Sequence, residues 1–113
     1  LLATVAGLGA CASTPPPLTD LAAADAAIGA ARAAGAADFA PVEFRFAEDK
    51  RQAASAALDG RDFPLARQLA LQAEVDAALA EAKARAAAGR NAVQEKTREN
   101  TELRRDLLGG GRP

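Results

Sequence analysis

The sequence predicts an all-α fold: a short helix, then an antiparallel α-hairpin, three helices in all, whose last member continues into a long C-terminal extension. Three observations predict it. Alanine, the strongest intrinsic helix former, supplies 33 of the 113 residues. Leu, Ile, Val and Phe together make up only about a fifth of the chain, which is low for a thick globular core. The net charge is only -1, so self-repulsion does not hold such a chain open, and the composition points to thin helices packed closely through small side chains. With no Trp, Tyr or Met, marginal stability without a partner or a neighbouring domain is the expectation.

Composition also removes several functions. Fourteen basic residues stand against fifteen acidic ones, and four Phe are the only aromatics, so neither the basic face nor the stacking platform of a nucleic-acid binder is expected. A single cysteine forms no internal disulfide, and the absence of His removes the commonest metal ligand and general base.

The chain opens on LLATVAGLGA, residues 1–10, uncharged and apolar or small throughout. Ten helical residues cover about half of a hydrocarbon core, so this is no membrane span; it matches the apolar region of a secretory signal. Leu8, Gly9, Ala10 and Cys11 resemble the bacterial lipobox, in which a branched residue and two small ones precede a cysteine. The resemblance implies that the Cys11 thiol is alkylated by diacylglycerol, that the signal is cut before it, and that the new amino group is acylated. Two or more acyl chains hold a protein stably where one does not. Ala12 follows the cysteine in place of the Asp associated with inner-membrane retention, which implies the outer membrane's periplasmic leaflet. Residues 11–18, with Pro15 to Pro17, read as a lipid-anchored, extended tether.

The helical domain is expected over residues 19–88. Thr19 or Asp20 caps a first helix of about residues 20–34, on which Leu21, Ala24, Ile28 and Ala31 form a stripe, with Gly35 as C-cap. Pro41 suits the first position of a second helix, with Glu43 at the positive end of its dipole. Val42, Phe46, Ala53 and Ala57 make one stripe on it, and Phe44, Ala47, Ala54 and Leu58 a second, as for the middle helix of three. Arg45 and Asp49 are spaced for an ion pair, though a solvated face accounts for them better. In the turn LDGRDFP, Gly60 takes the left-handed position, Asp62 caps, Phe63 plugs the elbow and Pro64 enters the third helix. Leu65, Leu69, Ala73, Ala77, Ala80 and Ala84 form its apolar seam, where Ala permits a close helix approach. Residues 89–108 read as a polar helical extension. There Val93, Asn100, Leu103 and Leu107 fall near heptad spacing, interrupted by Lys96, and residues 109–113 form a Gly-rich tail.

The stretches AAGAADFAPVEFRFAEDK and GRDFPLARQLALQAEVDAALAEAKA resemble an alanine-rich helical domain of unknown function found in proteobacterial lipoproteins, often placed before an OmpA-like peptidoglycan-binding domain. The resemblance covers about residues 20–88. It rests on Ala40-Pro41-Val42-Glu43, the Asp62-Phe63 elbow and the run from Leu69-Ala70 to Asp76-Ala77. It implies a lipid-anchored periplasmic helical module and carries no catalytic residues; no OmpA-like segment occurs in these 113 residues, so direct peptidoglycan binding is not expected. The hairpin is also similar in size to one tetratricopeptide unit, but a single unit cannot bury its own face, so that likeness concerns packing alone.

The expected function is an outer-membrane-anchored periplasmic lipoprotein acting as a structural or adaptor module; the alternative is a non-lipidated helical interaction module. The expected partners are the membrane, through lipid on Cys11, another envelope protein, through the hairpin's groove or the polar C-terminal helix, and a second copy of the chain through that helix. Catalytic, cofactor and metal residues are not assigned: Glu43, Glu48, Asp49, Glu74, Asp76 and Glu81 lie on an open helix surface, where paired acid and base chemistry needs a concave, desolvated site.

Overall fold

The computed structural model describes residues 13–109. The expected signal segment, its Leu8-Gly9-Ala10 lipobox, Cys11 and the end of the Gly-rich tail lie outside the described residues. All regular secondary structure among the described residues is helical: α1 (Leu18–Ala33), α2 (Ala36–Phe39), α3 (Pro41–Asp59) and α4 (Phe63–Gly109).

Helix α1 starts two residues earlier than its capping residues suggest. Buried Pro17 stands before its first turn, with its carbonyl accepting from the Leu21 N–H at 3.1 Å, and no side chain caps the helix. Asp20 is drawn elsewhere, to Arg67 on α4 at 3.1 Å. Gly35 ends α1 as expected: its φ of 84° is the left-handed conformation, and its N–H donates to the Arg32 carbonyl at 3.0 Å. The same glycine begins α2, since its carbonyl accepts from both Asp38 and Phe39. Ala40, pushed out of the helical region ahead of a proline, then breaks the chain so that Pro41 opens α3.

The α3–α4 turn corrects one expectation. Gly60 has an ordinary φ of -78°, and Arg61 takes the left-handed conformation at φ 59°. The reason is that two caps share one residue. Asp62 N–H closes α3 on the Ala57 carbonyl at 2.9 Å, with Arg61 N–H on Leu58, while the Asp62 carbonyl and side chain cap α4 through Ala66 N–H at 2.9 Å and Leu65 N–H at 3.3 Å. With Asp62 fixed by both helices, the left-handed residue is the one before it.

Helix α4 is the hub, contacted by α1, α2 and α3, and α1 packs more extensively on it than on α3. Its buried face is Ala66, Ala70, Ala73, Ala77, Ala80 and Ala84, a strict heptad alternation of fours and threes made wholly of alanine. The expected seam was therefore displaced by one residue at its start: Leu65 is exposed, and Leu69 only half-buried beside the core. Two clusters form the interior. Leu21, Ala24, Ala54, Ala70 and Ala73 make one, and Ile28, Phe44 and a set of alanines from all four helices make the other.

On α3 the expected two-stripe burial fails. Phe44, Ala47, Ala54 and Ala57 are buried and Leu58 is half-buried, but Val42, Phe46 and Ala53 face outward. The cause is the approach distance. The core has room for one large side chain of α3, Phe44 beside Ile28; elsewhere the helices meet through alanine, and Val42 and Phe46 stay on the rim or the outer face. Phe63 is half-buried at the elbow. The Arg45–Asp49 pair does not form among the described residues, where the ion pairs run chiefly between helices.

Among the described residues nothing packs on α4 beyond Ala87. It passes Gly89 without a break and remains exposed to Gly109, so the 47-residue helix is about 70 Å long.

Candidate functional site

Five ion pairs tie the helices together. Asp25 on α1 takes a bidentate bond from Arg51 on α3 at 2.6 and 2.8 Å, and Arg51 also donates to Ser55 Oγ at 2.5 Å. This bond holds the Asp25 carboxyl below its ordinary value of 3.8, with partial burial opposing and the guanidinium charge adding to the effect. Arg32 donates to Glu48 at 3.1 Å while its guanidinium lies 5.6 Å from the centre of the Phe44 ring. Lys83 donates to Glu43, and this bond, with one from the backbone N–H of Glu43 itself, lowers that carboxyl also. Lys50 to Asp76 at 2.5 Å and Arg67 to Asp20 complete the set.

The six carboxylates singled out in the sequence are thus spent separately. Glu43, Glu48 and Asp76 bridge helices, Glu81 pairs with Arg85 one turn on, and Asp49 and Glu74 join no ion pair among the described residues. No two are brought together over a cavity, and no group of three or more metal-ligating side chains occurs among the described residues.

What the fold does assemble is an outer face. On the side of α4 away from the alanine seam, Pro64, Gln68, Leu71, Gln72 and Val75 line an open, mostly apolar groove of about 450 Å³, bounded on one side by the Lys50–Asp76 pair and on the other by Arg67. Leu71 and Val75 are 46% and 67% exposed. Leu79 continues this outer side of α4, and on α3 Val42 and Phe46 are exposed beyond the buried stripe. The signal for this face was in the sequence: Leu71, Val75 and Leu79 recur every fourth residue, out of phase with the alanines. It is hidden there because a Leu or Val stripe ordinarily marks the core.

A family model described as a domain of unknown function (DUF4398) matches residues 19–96. The chain belongs to this family. The match takes in α1 from Thr19, all of α2 and α3, and α4 as far as Lys96, hence the packed bundle and the outer groove. Neither a curated protein nor a solved structure matches the chain. Among the described residues, no helix is long and apolar enough to cross a membrane. The residues on which the lipid-anchor expectation rests, Leu8, Gly9, Ala10 and Cys11, lie outside the described residues.

Proposed function

We propose that this DUF4398 chain is a lipoprotein of the periplasmic face of the outer membrane, anchored through Cys11, which works as a structural or adaptor module rather than as an enzyme. One observation carries the reading: the run Leu8-Gly9-Ala10-Cys11 follows an uncharged apolar segment directly and precedes a proline-rich spacer directly. The fold is compatible in its dimensions. Six residues separate Cys11 from the start of α1 at Leu18, a reach of at most about 20 Å, so the bundle would sit close to the lipid surface while α4 carries its exposed end about 70 Å along its axis. A non-catalytic role suits the dispersed carboxylates and the open apolar face, which offers an envelope protein a surface between Lys50 and Arg67.

The test is metabolic labelling with a radioactive fatty acid in a Gram-negative host, together with membrane fractionation, for the wild type and for Cys11→Ala. The wild type should take up label and sediment with the outer membrane, and the variant should do neither. An unlabelled wild type with a variant that still fractionates with membranes would end the anchor reading and leave the non-lipidated interaction module.

A further inference from the structure

The apolar side of α4 changes over along its length. From Ala66 to Ala84 it faces the bundle. Continued at the same heptad spacing, that face becomes Asn91, Gln94, Arg98, Thr101 and Arg105, wholly polar. On roughly the opposite side the reverse happens. Leu79, Ala82, Ala86, Gly89, Val93, Asn100, Leu103 and Leu107, with Lys96 between, recur at alternating intervals of three and four over four heptads, all of them exposed. An isolated polar helix of some 20 residues is marginal in water, and among the described residues nothing packs on the segment beyond Ala87 to sustain it.

The occupant can be read from the stripe itself. Taking Val93, Asn100 and Leu107 as a positions, Leu103 is d, Glu99 is g and Arg104 is e. In a parallel pair in register, the g side chain of one helix faces the e side chain of the next heptad on the other, which sets Glu99 against Arg104 of the second copy, twice over. Asn100 meets its own counterpart, and an amide both donates and accepts, so the pairing is self-complementary. At the small positions Ala82, Ala86 and Gly89 two backbones can approach closely. The ammonium of Lys96, the polar d residue, is already held by Glu99 at 2.8 Å on the flank. Two like-charged pairs face each other: Lys96 meets its own counterpart and is drawn to the flank by Glu99, and Arg85 at g meets Arg90 at e, eased by Glu81, which holds Arg85 at 2.7 Å. Because α1 and α3 pack on the other side of α4, two such helices bring no bundle into collision.

We propose that two copies of this chain pair in parallel through the outer stripe of α4 from Leu79 to Leu107, forming a coiled coil from which the two bundles project outward. The pairing leaves Leu71, which is out of this register, free for another partner and does not depend on lipid.

The experiment uses the 113-residue chain with Cys11→Ala, so that neither lipid nor a native thiol joins two copies. Sedimentation equilibrium at roughly 100 μM, where a Kd tighter than about 10 μM leaves most chains paired, should give twice the 11.5 kDa of one chain. Val93→Glu with Leu103→Glu should return the single-chain mass while the bundle's thermal transition stays in place, since neither residue touches it. With Asn100→Cys as the sole cysteine, air oxidation should cross-link the pair, whereas Arg105→Cys, on the flank away from the seam, should stay uncross-linked. A monomer at that concentration, a larger oligomer, a dimer that survives the double variant, or a dimer without the 100–100 cross-link would each overturn the proposal.

Discussion

Phe44 and Phe46 lie two residues apart on α3 and are chemically identical, yet the packing assigns them opposite energetic roles. Phe44 is 6% exposed and is the largest side chain in the cluster with Ile28; Phe46 is 54% exposed. Replacing a buried Phe by Ala removes its transfer energy and leaves a cavity, together about 3 to 5 kcal/mol. A bundle of about 70 packed residues has a total stability of only about 4 to 10 kcal/mol at the usual per-residue values. Phe44→Ala should therefore remove close to half or more of the stability. At about 4 to 8 °C per kcal/mol for a domain of this size, the midpoint should fall by at least about 12 °C. Phe46→Ala should change stability by less than about 1 kcal/mol. Thermal unfolding of both variants by circular dichroism, supported by urea titration, makes the comparison. Equal shifts for the two, or a fall of less than about 5 °C for Phe44→Ala, would refute the alanine-seam account of α3.

The other predictions concern the seam, the turn and one ion pair. Ala77→Leu should destabilise the bundle by about 1 to 3 kcal/mol in urea unfolding, since a fully buried Cβ in an alanine contact has no room for three more carbons, whereas Ala78→Leu on the exposed side should be nearly neutral. Gly60→Ala should be neutral or stabilising by up to about 1 kcal/mol, because φ is ordinary there and an added Cβ meets only backbone oxygens at 3.5 Å or more. Gly35→Ala should lower stability by about 1 kcal/mol, as its φ is left-handed and its Cβ would meet the Phe39 ring at 3.2 Å. Asp25→Asn should lose less than about 1 kcal/mol at neutral pH, the carboxylate being half exposed. Because folding lowers the Asp25 pKa below 3.8, its stabilisation is present above that value and is lost as pH falls through the folded one; the difference in denaturant midpoint between wild type and variant should shrink on acidification below the ordinary carboxylate value.

The helix boundaries were legible because local rules fix them. Pro41 begins α3, Asp62 and Pro64 begin α4, and Gly35 ends α1, each through backbone chemistry that needs no tertiary knowledge. Arg61 marks where that reasoning stops. A left-handed residue was needed in the turn and a glycine was present, but two helices competing for Asp62 moved the position by one. Burial was legible on α1, where all four expected stripe residues are inside, and misleading on α3 and at the start of α4. Among the described residues the usual ranking is inverted: thirteen of the sixteen residues that form the buried core are alanine, while Val42, Phe46, Leu65, Leu71, Val75 and Leu79 are exposed. Hydropathy finds an apolar stripe, but the distance between helix axes decides which stripe is buried, and that distance is a property of two helices together. The outer groove went unread for the same reason. The four-residue α2 was not foreseen either, since a single turn between Gly35 and Pro41 leaves no periodicity to detect.

Alanine at the seam and larger residues outside give α4 two unlike faces. Toward α1 and α3 it presents Ala at six successive heptad positions, so that the bundle buries little area per residue and draws part of its cohesion from the rim, where Asp20–Arg67, Asp25–Arg51 and Glu43–Lys83 span the helix pairs. Exposed pairs of this kind add little stability, but they fix which helix lies beside which, and so specify a packing that a uniform alanine face leaves underdetermined. Away from the bundle the same helix carries Leu71, Val75, Leu79, Val93, Leu103 and Leu107, all exposed and none contributing to the bundle's core. Larger apolar side chains kept out of the interior remain exposed along one edge of α4, and in the adaptor role proposed above that edge is where a neighbour would dock. A thin alanine interior is what leaves them there.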